Sequence, residues 1–209
     1  MPGQGLTLFH SPRTRSFGAL VLLEELGAPY TLEVLDMSKD EQLAPAYRAI
    51  NPMGKVPALR DGDAIVTEQV AIFLYLADRF PASGLAPPIG DPLRGPYLRW
   101  MAFYAASFEP ALIDKARGHD PGKRAMSTYG EYDTVIDTLA DALAKGPYLL
   151  GERLTAADIL WGTALGWTLA FKLVPERPVF VDYARRISER PAVVRARAKD
   201  EALAAAQKA

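Results

Sequence analysis

The 209-residue sequence contains no cysteine. That excludes disulfides, a protein thiolate nucleophile and a redox Cys-x-x-Cys pair. An excess of charge of one sign is also lacking: 24 Lys and Arg oppose 25 Asp and Glu, a net charge of −1. Nucleic-acid binding normally needs a basic face, and this balance predicts none. Histidine is scarce. His10 and His119 are the only two, and neither has a carboxylate at ligand spacing, so no metal is expected. Long apolar runs are missing as well. The longest uncharged stretch, 159–171, has 13 residues, whereas a bilayer span needs about 20. The opening MPGQGLTLFH has neither the basic nor the apolar region of a secretory signal. Together these absences predict a cytoplasmic protein with no membrane or nucleic-acid partner. There is no GxGxxG, P-loop or HExxH pattern either, so nucleotide and zinc-protease readings have no support.

What is present has a clear order. LTLF (6–9) is a strand candidate, and 12–26 reads as a helix with Pro12 in its first turn and Gly27 as its stop. YTLEVLDM (30–37) alternates apolar and polar residues as a half-buried strand does, and 39–48 is polar and short. VPALR (56–60) and AIVT (64–67) flank DGD, a hairpin signal, and Thr67 is a candidate N-cap for a helix to about Arg79. The order βαβαββα, with a parallel first pair and an antiparallel edge, predicts a thioredoxin-like domain over 1–80. Residues 81–91 are dense in Pro and Gly and read as a linker. The remainder, 92–209, predicts an all-helical domain, with helices near 92–118, 122–145, 154–171, 179–189 and 191–206. The fold class is therefore α/β followed by all-α.

Two local signals stand out in the second half. LTAADI (154–159) places Thr155 as N-cap with Asp158 three residues on, an acidic capping box, and the helix after it is apolar all round and so should be buried. Arg185, Arg186, Arg190, Arg195, Arg197 and Lys199 form a basic run that reads as a solvated helix face.

Three stretches carry a family resemblance: FHSPRTRSFGALVLLEELGAPY, NPMGKVPALRDGDAIVTEQVAIFLYLADRF and GPYLLGERLTAADIL. In this order and at these spacings the chain resembles the cytosolic glutathione transferases over essentially its whole length. Pro57 explains why. A proline inside a strand has no N–H to give and belongs at edges, starts or bulges. In that family the proline of VPAL is cis, and it aims the residue before it, here Val56, into the cleft to pair with the cysteinyl backbone of glutathione like one more strand rung.

The resemblance implies the rest of a glutathione site. The γ-glutamyl carboxylate seeks a helix N-terminus. Glu68 is implied to meet the γ-glutamyl amine and Gln69 the carboxylate, although most of the family has Ser or Thr at the latter position. Lys55 is implied to meet the glycyl carboxylate, with Lys39 a second candidate. The thiol, with a reference pKa near about 8.5, must ionise. Ser11, placed before Pro12 as in the tau-class SP pattern, is the catalytic candidate; it alternatively only caps the helix, and Ser16 is its runner-up. The beta class is similar across SPRTRS and TEQVAIFLYLAD but has a cysteine where Arg15 stands, so mixed-disulfide chemistry is excluded. Arg13 and Arg15 instead add positive charge near the helix start. His10 and Arg13, together with Tyr104 and Phe108 at i, i+4, are candidates for a substrate pocket between domains; the two aromatics alternatively belong to the core. The implied activity is conjugation of glutathione to small hydrophobic electrophiles by a metal-free homodimer. The alternatives are glutathione-dependent peroxide reduction or isomerisation, and a non-catalytic binding or assembly module.

Overall fold

The computed structural model describes residues 5–208. The chain forms two compact units: residues up to Phe80 together with those from Arg190 onward, and Pro81–Glu189. In the first unit β1 (Leu6–His10), α1 (Ser16–Leu26), β2 (Tyr30–Val34), the one-turn α2 (Pro45–Arg48), β3 (Ala58–Asp61), β4 (Ala64–Thr67) and α3 (Gln69–Arg79) follow in order. The sheet order is β2-β1-β3-β4, with β1 parallel to β2 and the other pairs antiparallel. This is the expected thioredoxin-like arrangement. Its core is set by pattern: Leu8 and Leu59 on the central strands are fully buried, α1 buries the run Ala19–Leu23, and α3 buries Ile72, Phe73, Leu76 and Ala77 on one face.

The expected first helix begins four residues late, at Ser16 rather than Pro12. Arg13 has φ 59°, a left-handed conformation that no α-helix contains. Thr14 and Ser16 turn their hydroxyls onto the Ser11 carbonyl, the local side-chain bonding that competes with helix.

The second unit is helical. It comprises α4 (Arg94–Phe103), a π-helical turn (Tyr104–Phe108), α5 (Glu109–Arg117), α6 (Tyr132–Leu143), α7 (Ala156–Ala170) and α8 (Pro178–Ser188). The helix expected over 122–145 starts only at Tyr132, because Gly122 and Gly130 both take positive φ and hold the segment before it in turns. The apolar α7 is the buried centre, as its composition required. Trp161 at its middle is ringed by Trp100, Phe103, Tyr104 and Phe108. Gly162 lets α8 come close: a Cβ there would lie 2.4 Å from Ile187 Cγ1 and 2.5 Å from its Cβ. Alanine is the better helix former by about 1 kcal/mol, but overpacking a closed core costs about 1–3 kcal/mol. The clash is backed by a β-branched side chain in a helix, so it wins. Gly162→Ala is expected to lower Tm by several degrees in a thermal melt; an unchanged or higher Tm would show that α8 can slide away.

The last helix, α9 (Pro191–Ala206), departs from the sequence division, which put all of 92–209 in one helical domain. It packs with the first unit, against α1. Arg190 pairs with Glu25, Arg195 and Lys199 pair with Glu24, and Gln207 reaches the Leu35 carbonyl. Three of the six basic residues, Arg190, Arg195 and Lys199, therefore form a clasp, while Arg195 and Lys199 stay half exposed. Glu24 and Glu25 sit at the negative end of the α1 dipole, where bare acids are unfavourable, and the α9 cations offset them. Burial alone would raise the Glu24 carboxyl, but hydrogen bonds from Lys199, Tyr30 and Arg195 outweigh it and bring it from 4.5 down to about 2. The sign follows directly: a depressed carboxyl adds stability above its unfolded value that is lost as pH falls through the folded one. The difference in Tm between the wild type and Glu24→Gln is thus expected to be full above pH 4.5 and to vanish towards pH 2. A difference that stayed constant over that range would exclude the clasp.

Candidate functional site

The sheet register assembles the site. Phe9 pairs with Ala58, and Ala58 pairs with Thr67. The end of β1, the start of β3 and the end of β4 therefore share one edge of the sheet. Continuing the β1–β3 register past His10 and Pro57 sets Ser11 opposite Val56. Three segments leave this edge: the turn from Ser11 into α1, the loop from Asn51 to Pro57, and Glu68 at the start of α3.

The first turn is heavily bonded. Ser16 Oγ accepts from the Ser11 N–H (3.1 Å) and lies 2.8 Å from His10 Nδ1, 2.7 Å from Thr14 Oγ1 and 3.1 Å from the Ser11 carbonyl. Thr14 donates to the same carbonyl at 2.7 Å. On the far side, the Arg13 N–H meets Asp200 of α9 at 3.2 Å, and His10 Nε2 lies 3.1 Å from the other Asp200 oxygen. Ser16 is fully buried and its hydroxyl is spent within the protein, which removes it as a thiolate donor. Ser11 is 2% exposed, yet its own hydroxyl has no hydrogen-bond partner among the described residues. It does not cap α1, whose start carries no side-chain cap. Arg15 is exposed at that start and is itself engaged. His10, expected in a substrate pocket, is instead fully buried between Ser16 and Asp200. Arg13 is exposed.

The second segment holds the Val56–Pro57 peptide in the cis form. Two residues that the sequence did not single out shape its approach. Tyr47 Oη donates to the Lys55 carbonyl at 2.6 Å and Asn51 Nδ2 to the same oxygen at 2.8 Å. Burial pushes the Tyr47 phenol up to about 12, so it remains a donor at any ordinary pH. Gly54, at φ 60°, packs its α-carbon so close that a Cβ would stand 3.0 Å from the Gln42 carbonyl. The Val56 N–H and C=O then make no hydrogen bond among the described residues, and no ion pair involves the exposed Lys55 ammonium among those residues. Lys39, by contrast, is paired with Asp36 at 3.1 Å.

At the third segment Glu68 takes φ 67° and ψ 120°. A side chain in that conformation costs about 1–3 kcal/mol, and such residues cluster at functional sites. The first turn of α3 beyond it presents N–H groups with no intrahelical partner. The Gln69 amide donates to the Arg15 carbonyl at 3.1 Å, which ties the start of α3 to the start of α1, while its Oε1 is buried without a partner. Tyr104 and Phe108 do not present themselves to solvent: they are buried in the second unit against Trp161, with ring centroids 5.3 and 4.7 Å away, and Tyr104 Oη donates to Glu109. Their i, i+4 spacing belongs to the core.

The edge thus gathers an open helix N-terminus, an unpaired strand-like backbone, an exposed cation and an uncommitted hydroxyl, a set that suits a flexible peptide bearing carboxylates and a thiol. The same architecture occurs in known proteins. Residues 4–78 match the family model of the glutathione S-transferase N-terminal domain, and 127–196 that of the C-terminal domain. Glutathione S-transferase GstA of Escherichia coli O157:H7 is 30% identical over 191 residues, covering 90% of this chain and 95% of that one. A glutathione transferase from Methylococcus capsulatus superposes with a TM-score of 0.80 at 31% identity over 94% of this chain and 98% of that one. A sphingomonad glutathione S-transferase solved in complex with glutathione gives 0.78 at 31%, over 93% and 98%. With both domains matched in order and a relative aligned nearly end to end, the chain belongs to the glutathione S-transferase family.

Proposed function

We propose that this protein is a glutathione S-transferase that conjugates the glutathione thiolate to small hydrophobic electrophiles, with Ser11 as the hydroxyl that holds the thiolate. The observation that carries the reading is the uncommitted Ser11 hydroxyl beside the bonded Thr14 and Ser16 hydroxyls, opposite the unpaired Val56 backbone. In this reading the γ-glutamyl carboxylate sits at the α3 N-terminus, where N–H groups and the dipole favour an anion. Glu68 meets the adjacent ammonium. The Gln69 backbone, rather than its amide already given to Arg15, serves the carboxylate. Val56 pairs with the cysteinyl backbone after which Pro57 resumes the strand, and Lys55 meets the glycyl carboxylate. Arg15 and Arg13 add positive potential beside the sulfur. Ser11 donates to the ionised sulfur, the sulfur attacks the electrophilic carbon, and the C–S bond forms as the leaving group departs or the acceptor takes up the electron pair. Proximity and thiolate stabilisation supply the rate, with no covalent enzyme intermediate. The same thiolate would serve peroxide reduction or isomerisation. The family likeness adds a homodimer working in the cytoplasm.

A glutathione titration near neutral pH, followed by thiolate absorbance in the ultraviolet, tests this. A saturable thiolate signal supports the transferase. One observation favours a non-catalytic carrier instead: the Gln69 amide is already occupied. Saturable binding without thiolate would favour that reading, and no binding at millimolar glutathione would sink both.

A further inference from the structure

His10, Ser16 and Asp200 form a buried cluster, His10 Nε2 lying 3.1 Å from Asp200 Oδ1 without a hydrogen bond to it, that the transferase chemistry leaves unused. It is not a nucleophilic triad, because Ser16 is fully buried and its oxygen is already shared among Ser11, Thr14 and His10. Its geometry has another consequence. The turn Ser11–Arg13 is gripped at both ends: Ser16 takes the Ser11 N–H, and Asp200 takes the Arg13 N–H, at 3.2 Å to Oδ2 and 3.4 Å to Oδ1. Arg13 sits at φ 59°, a conformation a non-glycine residue keeps only when its surroundings impose it. His10 lies between the two grips, with Nδ1 2.8 Å from Ser16 Oγ and Nε2 3.1 Å from Asp200 Oδ1. Asp200 is 7% exposed and is the acceptor on both of its oxygens.

We infer that Asp200, on the C-terminal helix, is a positioning residue for the Ser11 hydroxyl: through the Arg13 N–H it fixes the turn that aims Ser11 at the glutathione sulfur. The inference rests on the transferase reading above. It assigns to α9, 187 positions along the chain from Arg13, a part in the thiol site, although Asp200 touches neither sulfur nor electrophile.

The test compares full-length variants with glutathione and an activated aryl halide as probes. Asp200→Ala removes both acceptors. The bound thiol is expected to titrate about one unit higher, kcat to fall about tenfold at neutral pH, and KM for glutathione to move less than about threefold, since one pKa unit is a factor of ten in thiolate. Asp200→Asn keeps one oxygen for the Arg13 N–H but puts an amide donor in place of the other, so its bound thiol should also titrate higher, by less than in the alanine variant; it carries the test should the alanine variant fail to fold. Glu24→Gln loosens the same helix at the clasp without touching the turn, and its bound thiol should titrate as in the wild type. An unshifted thiol in both Asp200 variants, or an equal shift in Glu24→Gln, would overturn the positioning role. A wild-type protein with no thiolate signal would overturn the transferase reading first, and this inference with it.

Discussion

Asp158→Ala is expected to destabilise the protein by about 3–5 kcal/mol, the range for breaking a buried charged network. One carboxylate accepts four donors: the Leu149 N–H and Tyr183 Oη on Oδ1, and the Thr155 N–H and Oγ1 on Oδ2. It joins the loop before α7, the α7 cap and α8. Burial raises this carboxyl above its ordinary value although those donors pull it down, so the site already operates against desolvation. Removing the acceptor leaves buried donors without partners, each costing about 1–3 kcal/mol where water cannot enter. Against a total stability of about 5–15 kcal/mol, that decides whether the second unit folds. Urea unfolding gives the measurement. Asp158→Asn should lose most of the same energy, because its amide presents a donor to groups that donate; an Asn variant of wild-type stability would mean that Asp158 is only a cap.

That network was half legible in the sequence. The Thr155–Asp158 spacing is a local pattern and needs only a helix start to be recognised, and the capping box is there. The Leu149 and Tyr183 donors come from residues 9 and 25 positions away, and no periodicity announces them. The same division runs through the fold. Strands and helices followed from alternation, apolar faces and Gly–Pro punctuation. The attachment of α9 did not, because its basic residues look the same whether they face water or Glu24 and Glu25. The late start of α1 was hidden too: Pro12 fits a first turn in isolation, and only the Arg13–Asp200 contact shows why the chain turns left-handed there.

Within the candidate site, residues beside a strong local signal could be placed from the sequence and the family resemblance, and residues acting through space could not. Val56 and Pro57 follow from a proline where a strand should begin, and Glu68 and Gln69 from their place at a helix start. Tyr47 and Asn51, which hold the Lys55 carbonyl, precede the loop they shape and carry no mark of it. His10 was misplaced because adjacency to Ser11 along a strand means opposite faces: the serine leaves the sheet while the histidine turns into the interior. Tyr104 and Phe108 share a helix face, but that face is directed at Trp161.

Ser11→Ala separates function from stability. The Ser11 hydroxyl makes no bond to the protein among the described residues, so its loss should leave Tm within about 1 °C, as substitutions away from such features are close to neutral. Its bond to a thiolate would be charge-assisted and worth about 1.5–3 kcal/mol. The bound thiol should therefore titrate about one to two units higher, and kcat/KM at neutral pH should fall about 10–150-fold, with glutathione affinity almost unchanged. Ser16→Ala should do the reverse in emphasis: it orphans the Ser11 N–H and a histidine nitrogen, so it should lower Tm first and disturb the thiol only through the turn. Spectroscopic titration of bound glutathione against pH, beside thermal melts of the two variants, measures both. If Ser11→Ala kept wild-type turnover and an unshifted thiol, the stabilising charge would have to come from Arg15 at the start of α1.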